Sequence, residues 1–481
     1  MALLAVNRLG ADTTPDSVFY VGTARNLLDG HGYRAPPGTQ ELSNFPPLLP
    51  LLLAGVGRVT GMDPLDVLRW LNPLLFGATV ALAGAVVRRR TGSAAAGAVA
   101  AVLVLTGRDL LGVHGSALSE PLFILLALAG MVALARSVDD GRRRWFWAAS
   151  ALVAGAFLTR YVGVAVVLAG VALLVRAGRR RDGAVFAAVT ILPVAAWLAW
   201  AGPGAGHLAV HWFGLEYLAR GARSLSDWVV PTFVPGAVRV AIAVLVVAGA
   251  AMLVRRAPRS RGDGLTFGLA AFAGLYLALL LFDRAFIDAS GRLDRRFLAP
   301  LHVVAVVLLA PLVHRAWDTH IRGRGPVVAA AAVLLGLQVA QAAAWVGGGL
   351  TDDGIERRGY SAAAWSRSAV LDRLRQLGPE VPVFSNGADA VFLLTGRETS
   401  PLPARLDYRT GRQNPDYAAE LAAMRAALAG GGVLVYFEAI TARRSFLPRA
   451  AELEAGLGLR MVERDGVGTL YRLSVLSSSA T

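Results

Sequence analysis

Two carboxylates and a handful of arginines, all next to long apolar stretches, are the residues of this sequence best suited to chemistry. Asp16 follows Pro15 and precedes Tyr20 by one helical turn in the run Asp12-Thr13-Thr14-Pro15-Asp16-Ser17-Val18-Phe19-Tyr20. A carboxylate so placed can accept a proton from a bound group, or it can simply cap the helix that follows. Glu120 opens an apolar stretch in Ser119-Glu120-Pro121. An ionisable group near membrane depth is a functional candidate by default, and the plainer reading is a first-turn acid favoured by the helix dipole, with Ser119 or Ser116 as cap. Arg160, Arg295 and Arg296 carry planar forks that match phosphate oxygens, or they snorkel to lipid head groups. Arg25 lies on the helix begun by Asp16, and Tyr161 adjoins Arg160. His31 and Tyr33 could line a pocket, although the turn Gly30-His31-Gly32-Tyr33 also suits glycines at positive φ, which favours a structural reading of His31. Asp16, Glu120, His31 and His114 could share a divalent cation, yet no ligand spacing of a dedicated site occurs. The sequence therefore requires no metal or other cofactor.

The elements that must position these residues are membrane helices. The chain has 481 residues, 55% hydrophobic and 17% charged, with a mean hydropathy of +0.53; soluble proteins carry about a quarter charged residues. Every one of the 48 basic residues is arginine and the formal net charge is +15. In a soluble protein that charge would suggest nucleic acid, but here the arginines fall in short runs between apolar segments, a topology signal. No nucleic-acid partner is expected. There is no cysteine, which excludes disulfides, thiolate metal sites and cysteine nucleophiles. About ten spans are expected, at 68–87, 94–108, 119–136, 145–159, 161–176, 184–201, 235–254, 265–282, 297–316 and 326–346. Basic turns at 88–90, 142–144, 179–181, 255–261 and 315–324 fall at alternate loops, so loops 12–45, 108–118, 202–234 and 283–296, the turn at Arg160-Tyr161 and everything after about 347 are expected outside. Segment 46–61 contains Arg58 and follows Phe45-Pro46-Pro47, which predicts an interfacial or re-entrant helix. Met1–Val6 is too short to span or to act as a signal peptide. A first span is therefore expected to be missing, through a misplaced start codon or a real truncation.

The first loop continues with Ala24-Arg25-Asn26-Leu27-Leu28 and Gly30-His31-Gly32-Tyr33 and ends in Phe45-Pro46-Pro47-Leu48-Leu49-Pro50. With Ser119-Glu120-Pro121, Leu158-Thr159-Arg160-Tyr161-Val162-Gly163 and Arg295-Arg296-Phe297-Leu298-Ala299-Pro300 on the same side, the chain resembles the GT-C glycosyltransferases that use polyprenyl-phosphate sugars. It resembles in particular the family 39 relatives of protein O-mannosyltransferases and of the lipid A aminoarabinose transferase. The resemblance covers roughly residues 12 to 346. It implies a polytopic α-helical membrane enzyme that moves a sugar from a polyprenyl-phosphate donor to a lipid, glycan or protein acceptor on the outer face. It further implies a catalytic carboxylate in the first outer loop, with Asp16 as general base and Asp12 as the alternative. Glu120 would be a second carboxylate, a positioner of the acceptor or a holder of an arginine. Tyr20, Arg25, His31, Tyr33, Arg160, Tyr161, Arg295 and Arg296 would bind substrate. Members of the GT-C class differ in metal dependence, so a divalent cation stays open.

After Gly347-Gly348-Gly349 the composition turns mixed. Alternating patterns predict helices near 361–377, 387–395, 415–429 and 448–457, strands at 381–385 and 433–437, and a strand pair at 459–464 and 468–473 around Asp465-Gly466. Such alternation implies a small α/β accessory domain over 351–476 with a parallel core, following a transmembrane catalytic domain over 1–346. The strand preceding Asn386-Gly387 lacks a Gly-x-Gly-x-x-Gly turn, and the Ser-rich end, 477–481, is expected to be disordered. A polytopic transporter or lipid flippase would also place charges near the membrane. Such proteins usually show internal repeats and mid-helix charges, whereas these charges sit at helix ends and the two halves look dissimilar. A scaffold with a decayed catalytic loop is the third reading.

Overall fold

The computed structural model describes residues 2–8, 10–36, 42–202, 214–228, 230–244, 248, 264–287, 293–320, 324–352, 354–407, 411–441 and 444–474. The expected span at 235–254, the basic runs 255–261 and 315–324 and the Ser-rich end lie wholly or partly outside the described residues. The helices are α1 (Ala2–Val6), α2 (Pro15–Leu28), α3 (Leu48–Thr60), α4 (Pro64–Thr91), α5 (Ala94–Leu105), α6 (Arg108–Gly115), α7 (Glu120–Asp140), α8 (Arg143–Thr159), α9 (Val164–Arg176), α10 (Arg180–Ala201), α11 (Leu215–Ser226), α12 (Gly264–Phe286), α13 (Arg295–His320) and α14 (Arg324–Thr351).

Among the described residues, six helices are long and apolar enough to cross a membrane, and seven if α5 and α6 form one broken span. The expected count of ten divides among these, the shorter apolar helix Tyr161–Arg176, α8 with 17 residues, and the partly undescribed segment at 235–254. The expected span over 94–108 holds α5, and the loop expected at 108–118 instead opens with the helix α6, set at 56° to α5. The break falls at Gly107, where an added Cβ would sit 2.7 Å from the His302 ring. Segment 46–61 forms α3, whose 13 residues reach only about 20 Å against a hydrocarbon core of about 30 Å. Close helix approach depends on small residues: a Cβ on Gly170 would meet Phe186 at 2.6 Å, and one on Gly130 would meet Val153 at 2.7 Å.

The two ends of this bundle carry different charged groups. At one end Asp182 binds Arg143 at 2.8 Å and Arg179 at 2.7 Å, and Arg179 donates to the carbonyl of Ser137. This joins the runs 142–144 and 179–181 to the C-terminus of α7. Arg90 at the end of α4 reaches Val307, and Arg176 at the end of α9 stacks on Phe267 at the start of α12. Asp12, Glu120, Arg160 and Arg296 occupy the opposite end.

Five strands follow, β1 (Val383–Ser385), β2 (Ser400–Pro401), β3 (Val433–Tyr436), β4 (Leu459–Arg464) and β5 (Thr469–Leu473), in the order β2-β1-β3-β5-β4. The first three are parallel, and β5 pairs antiparallel with both β3 and β4. The expected helix over 361–377 is interrupted: Ser368 accepts from the Leu371 amide and starts a new helix, Ala369–Gln376. This layer packs against the loop that leads into α2. Thr13 donates to the Arg358 carbonyl, Ser361 donates to the Ala11 carbonyl, and Arg25 donates to the Leu393 carbonyl. One continuous apolar cluster runs from Val18 and Phe19 through Tyr360 and Trp365 to Val391 and Phe437.

Candidate active site

Three chain reversals bring the site together. Thr14 is the N-cap of α2 and Pro15 its first residue, so Asp16 stands in the first turn with its carboxylate free to point away from the helix. The capping alternative therefore falls to Thr14. The α8–α9 reversal is tight: Arg160 is extended (φ −151°, ψ 132°), and a Cβ on Gly163 would meet the Phe157 backbone at 2.7 Å. This backbone break turns the Arg160 side chain toward α7. Asp294 accepts from the amides of Arg296 and Phe297, capping α13 and setting two arginines in its first turn. Cations there oppose the helix dipole, so they need carboxylate partners.

They have them. Arg296 binds Asp16 through its terminal nitrogen at 2.7 Å and Glu120 through Nε. Arg160 binds Glu120 at 2.7 Å and donates to Ser119 Oγ at 3.0 Å. Ser119, rather than capping α7 with its side chain, is shared with the Tyr20 hydroxyl at 3.0 Å. Burial raises the Tyr20 phenol above its ordinary value, with the Asp16 charge adding to the shift. Glu120 is thus the buried hub, 1% exposed, whereas Asp16 is 28% exposed. Glu120 Oε2 and Arg160 Nε have no hydrogen-bond partner among the described residues; unsatisfied buried groups of this kind often mark functional sites.

Asp16, Arg160 and Arg296 of this cluster, but not the buried Glu120, line a cavity of about 370 Å³, within the ~300–1,000 Å³ usual for small-molecule sites. Asp16, Tyr20, Arg160, Tyr161 and Arg296 line the polar side. Leu279, Leu280, Phe282, Val164 and Ile287 form an apolar wall. Tyr161 donates to the Ser43 carbonyl and accepts from the Trp197 indole, and Tyr33 packs edge-on to Trp197 and Trp200 beside it. The charged groups thus face a space that can take an anion with an apolar tail.

Other candidates lie elsewhere. Arg25 is held by Asp63 at 2.8 and 3.1 Å, and His31 is exposed between Gly30 and Gly32, both at positive φ. Arg295 turns away from its neighbour to Asp227 at 2.6 Å and Asp109 at 3.7 Å. Asp12 binds the buried Arg358 at 3.2 Å. His114 is buried against Phe76. Among the described residues no three His, Asp or Glu groups converge to hold a metal ion. Sequence reasoning missed the Asp109–Asp227–Arg239–Arg295 group, whose only signal is acids beside apolar runs. It also missed Phe297, which both Arg160 and Arg296 overlie.

Residues 44–200, about a third of the chain, match the dolichyl-phosphate-mannose-protein mannosyltransferase family. No curated protein matches the sequence. Among solved structures, the chain is similar to ArnT from Cupriavidus metallidurans in the apo state, with a TM-score of 0.60 at 14% identity over 98% of this chain and 95% of that one. This is the GT-C fold. The same ArnT bound to undecaprenyl phosphate aligns with a TM-score of 0.57 at 14% identity over the same shares of both chains. The Archaeoglobus fulgidus oligosaccharyltransferase in complex with Zn and sulfate aligns with a TM-score of 0.54 at 13% identity, over 91% of this chain and 67% of that one. The GT-C fold and the family match together point to a glycosyltransferase. The matched segment takes in Glu120 and Arg160 and leaves out Asp16 and Arg296.

Proposed function

We propose that this GT-C protein transfers a sugar from a polyprenyl-phosphate donor to a lipid, glycan or protein acceptor on the extracytoplasmic face of the membrane. The observation that carries the reading is the Asp16–Arg296–Glu120–Arg160 cluster beside a cavity with a charged side, lined by Asp16, Arg160 and Arg296, and an apolar wall opposite them. A prenyl phosphate has the same division, an anion joined to a hydrocarbon chain, and ArnT of the same fold has been captured with undecaprenyl phosphate. In this reading Arg160 and Arg296 bind the phosphate and Glu120 aims both. Tyr20, Tyr33 and Tyr161 border the sugar and acceptor. Arg25, His31 and Arg295 take structural roles.

Asp16 is assigned as the base. The acceptor O–H or N–H bond breaks and its proton passes to the Asp16 carboxylate. The acceptor atom bonds to the anomeric carbon, and the bond from that carbon to the phosphate oxygen breaks, its electron pair leaving on polyprenyl phosphate. The arginines stabilise the charge that grows on the leaving oxygen. Residues 351–476 form an accessory unit that shapes access to the site through the loop before α2. The test is to incubate purified protein with a panel of radiolabelled polyprenyl-phosphate sugars and lipid, glycan and peptide acceptors. Label should move to an acceptor only with a lipid-phosphate donor. Failure with every donor, by protein that is folded and monodisperse, would remove the reading.

A further inference from the structure

Resting on the lipid-phosphate reading above, we propose that the Arg296 guanidinium is exchanged between Asp16 and the donor phosphate, so that Asp16 is released as a base only once the phosphate is in place. The charge balance of the site favours this. The cluster holds two carboxylates, Asp16 and Glu120, and two guanidiniums, Arg160 and Arg296. Asp283 adds a third acid to the cavity wall. The cluster therefore has no surplus positive charge, and an incoming phosphate gains a second guanidinium only by competing with a carboxylate for it.

Geometry selects which carboxylate gives way. Glu120 is 1% exposed and is held by both guanidiniums, so removing either would leave a charge buried without compensation. Asp16 is 28% exposed and is held, in this cluster, through one terminal nitrogen of Arg296 at 2.7 Å. That bond lies on the cavity wall, since both residues line it. The Nε of the same guanidinium stays on Glu120, a pivot about which the terminal nitrogens can turn toward a ligand. A phosphate presents several acceptor oxygens to a guanidinium fork, whereas Asp16 holds it through a single terminal nitrogen.

The exchange also serves the chemistry. The Asp16 oxygen that bonds Arg296 has a lone pair committed to that guanidinium. Once Arg296 turns to the phosphate, the same oxygen is open to the acceptor's proton.

The experiment measures equilibrium binding of undecaprenyl phosphate to the full-length protein in detergent, for the wild type, Asp16→Asn, Asp16→Ala and Arg296→Lys. Thermal unfolding of each variant establishes that it is folded. Removing the competing carboxylate should tighten binding by tenfold or more in both Asp16 variants. The double variant Asp16→Asn/Arg296→Lys should lose that gain. Folded Asp16 variants that bind no tighter than the wild type would overturn the exchange while leaving the lipid-phosphate donor standing. A wild type that binds no undecaprenyl phosphate would overturn both.

Discussion

Glu120 and Asp16 share Arg296, yet their surroundings give them different tasks. Glu120 is fully buried between two guanidiniums, so Glu120→Gln leaves two arginines without their common counter-charge and should destabilise the protein by about 3–5 kcal/mol. Asp16 lines the cavity; Asp16→Asn should fold normally and lose about 10²- to 10⁴-fold in turnover. Thermal unfolding and single-turnover rates on the same two preparations separate the roles. An Asp16→Asn enzyme with normal rates beside a folded but dead Glu120→Gln enzyme would move the base to Glu120. Asp12, four residues earlier, answers to pH instead. Burial raises its carboxyl from 3.8 to about 6, with Arg358 pulling less strongly the other way. Between these values folded Asp12 keeps a proton that the unfolded chain has released. The native state then binds more protons, and stability falls as pH rises through that window. Unfolding temperatures measured from about pH 4 to about pH 6.5 should show this falling component in the wild type and not in Asp12→Asn.

The elements decide which of several adjacent side chains reaches the site. Arg295 and Arg296 look alike in sequence, but successive residues of a helix point about 100° apart, so Arg296 meets Asp16 and Glu120 while Arg295 meets Asp227. Gly359 shows a comparable constraint where the C-terminal layer meets the loop before α2. Its φ of +58° with ψ of −129° suits glycine alone, and a Cβ there would lie 1.7 Å from the Thr13 carbonyl oxygen. Gly359→Ala should therefore cost at least about 1–3 kcal/mol from backbone strain, separate Thr13 from Arg358, and speed proteolysis between 351 and 382 without dissolving the helix bundle. Limited proteolysis followed by mass mapping reads this directly. These examples mark what was legible in the sequence. Apolar length and period revealed the spans, and the β-rich runs Val383–Ser385 and Val433–Tyr436 stood out among polar helices. The two-residue strand Ser400–Pro401 carries no pattern at all. The rotation of a helix that is apolar on nearly every side, as in α13, leaves no periodic trace. The divergence of the two arginines was hidden for that reason, and the Arg25–Asp63 pair was hidden because it joins two elements 38 residues apart.

At the scale of the whole molecule, charge is sorted along the bundle axis. The runs 142–144 and 179–181 gather around Asp182 at one end, and the ion-paired cluster with its cavity sits at the other, where the C-terminal sheet layer packs on α2. Positive loops are retained on the cytoplasmic side of membranes, so this sorting predicts that the cavity and the sheet layer share the far side. The prediction matters for mechanism, because a donor carried on a prenyl chain enters from one leaflet and the acceptor must arrive in the same compartment. The chain has no cysteine, which gives single-cysteine labelling a clean background. His31 and Glu398 are exposed on the loop after α2 and before β2, and Arg142 and Arg181 are exposed at the basic end. In sealed cells a membrane-impermeant maleimide should label His31→Cys and Glu398→Cys. Arg142→Cys and Arg181→Cys should react only after permeabilisation. Labelling of His31→Cys and Glu398→Cys from opposite sides would separate the sheet layer from the site, contrary to the bond between Arg25 and Leu393. Labelling of both only after permeabilisation would invert the protein and place sugar transfer in the cytoplasm.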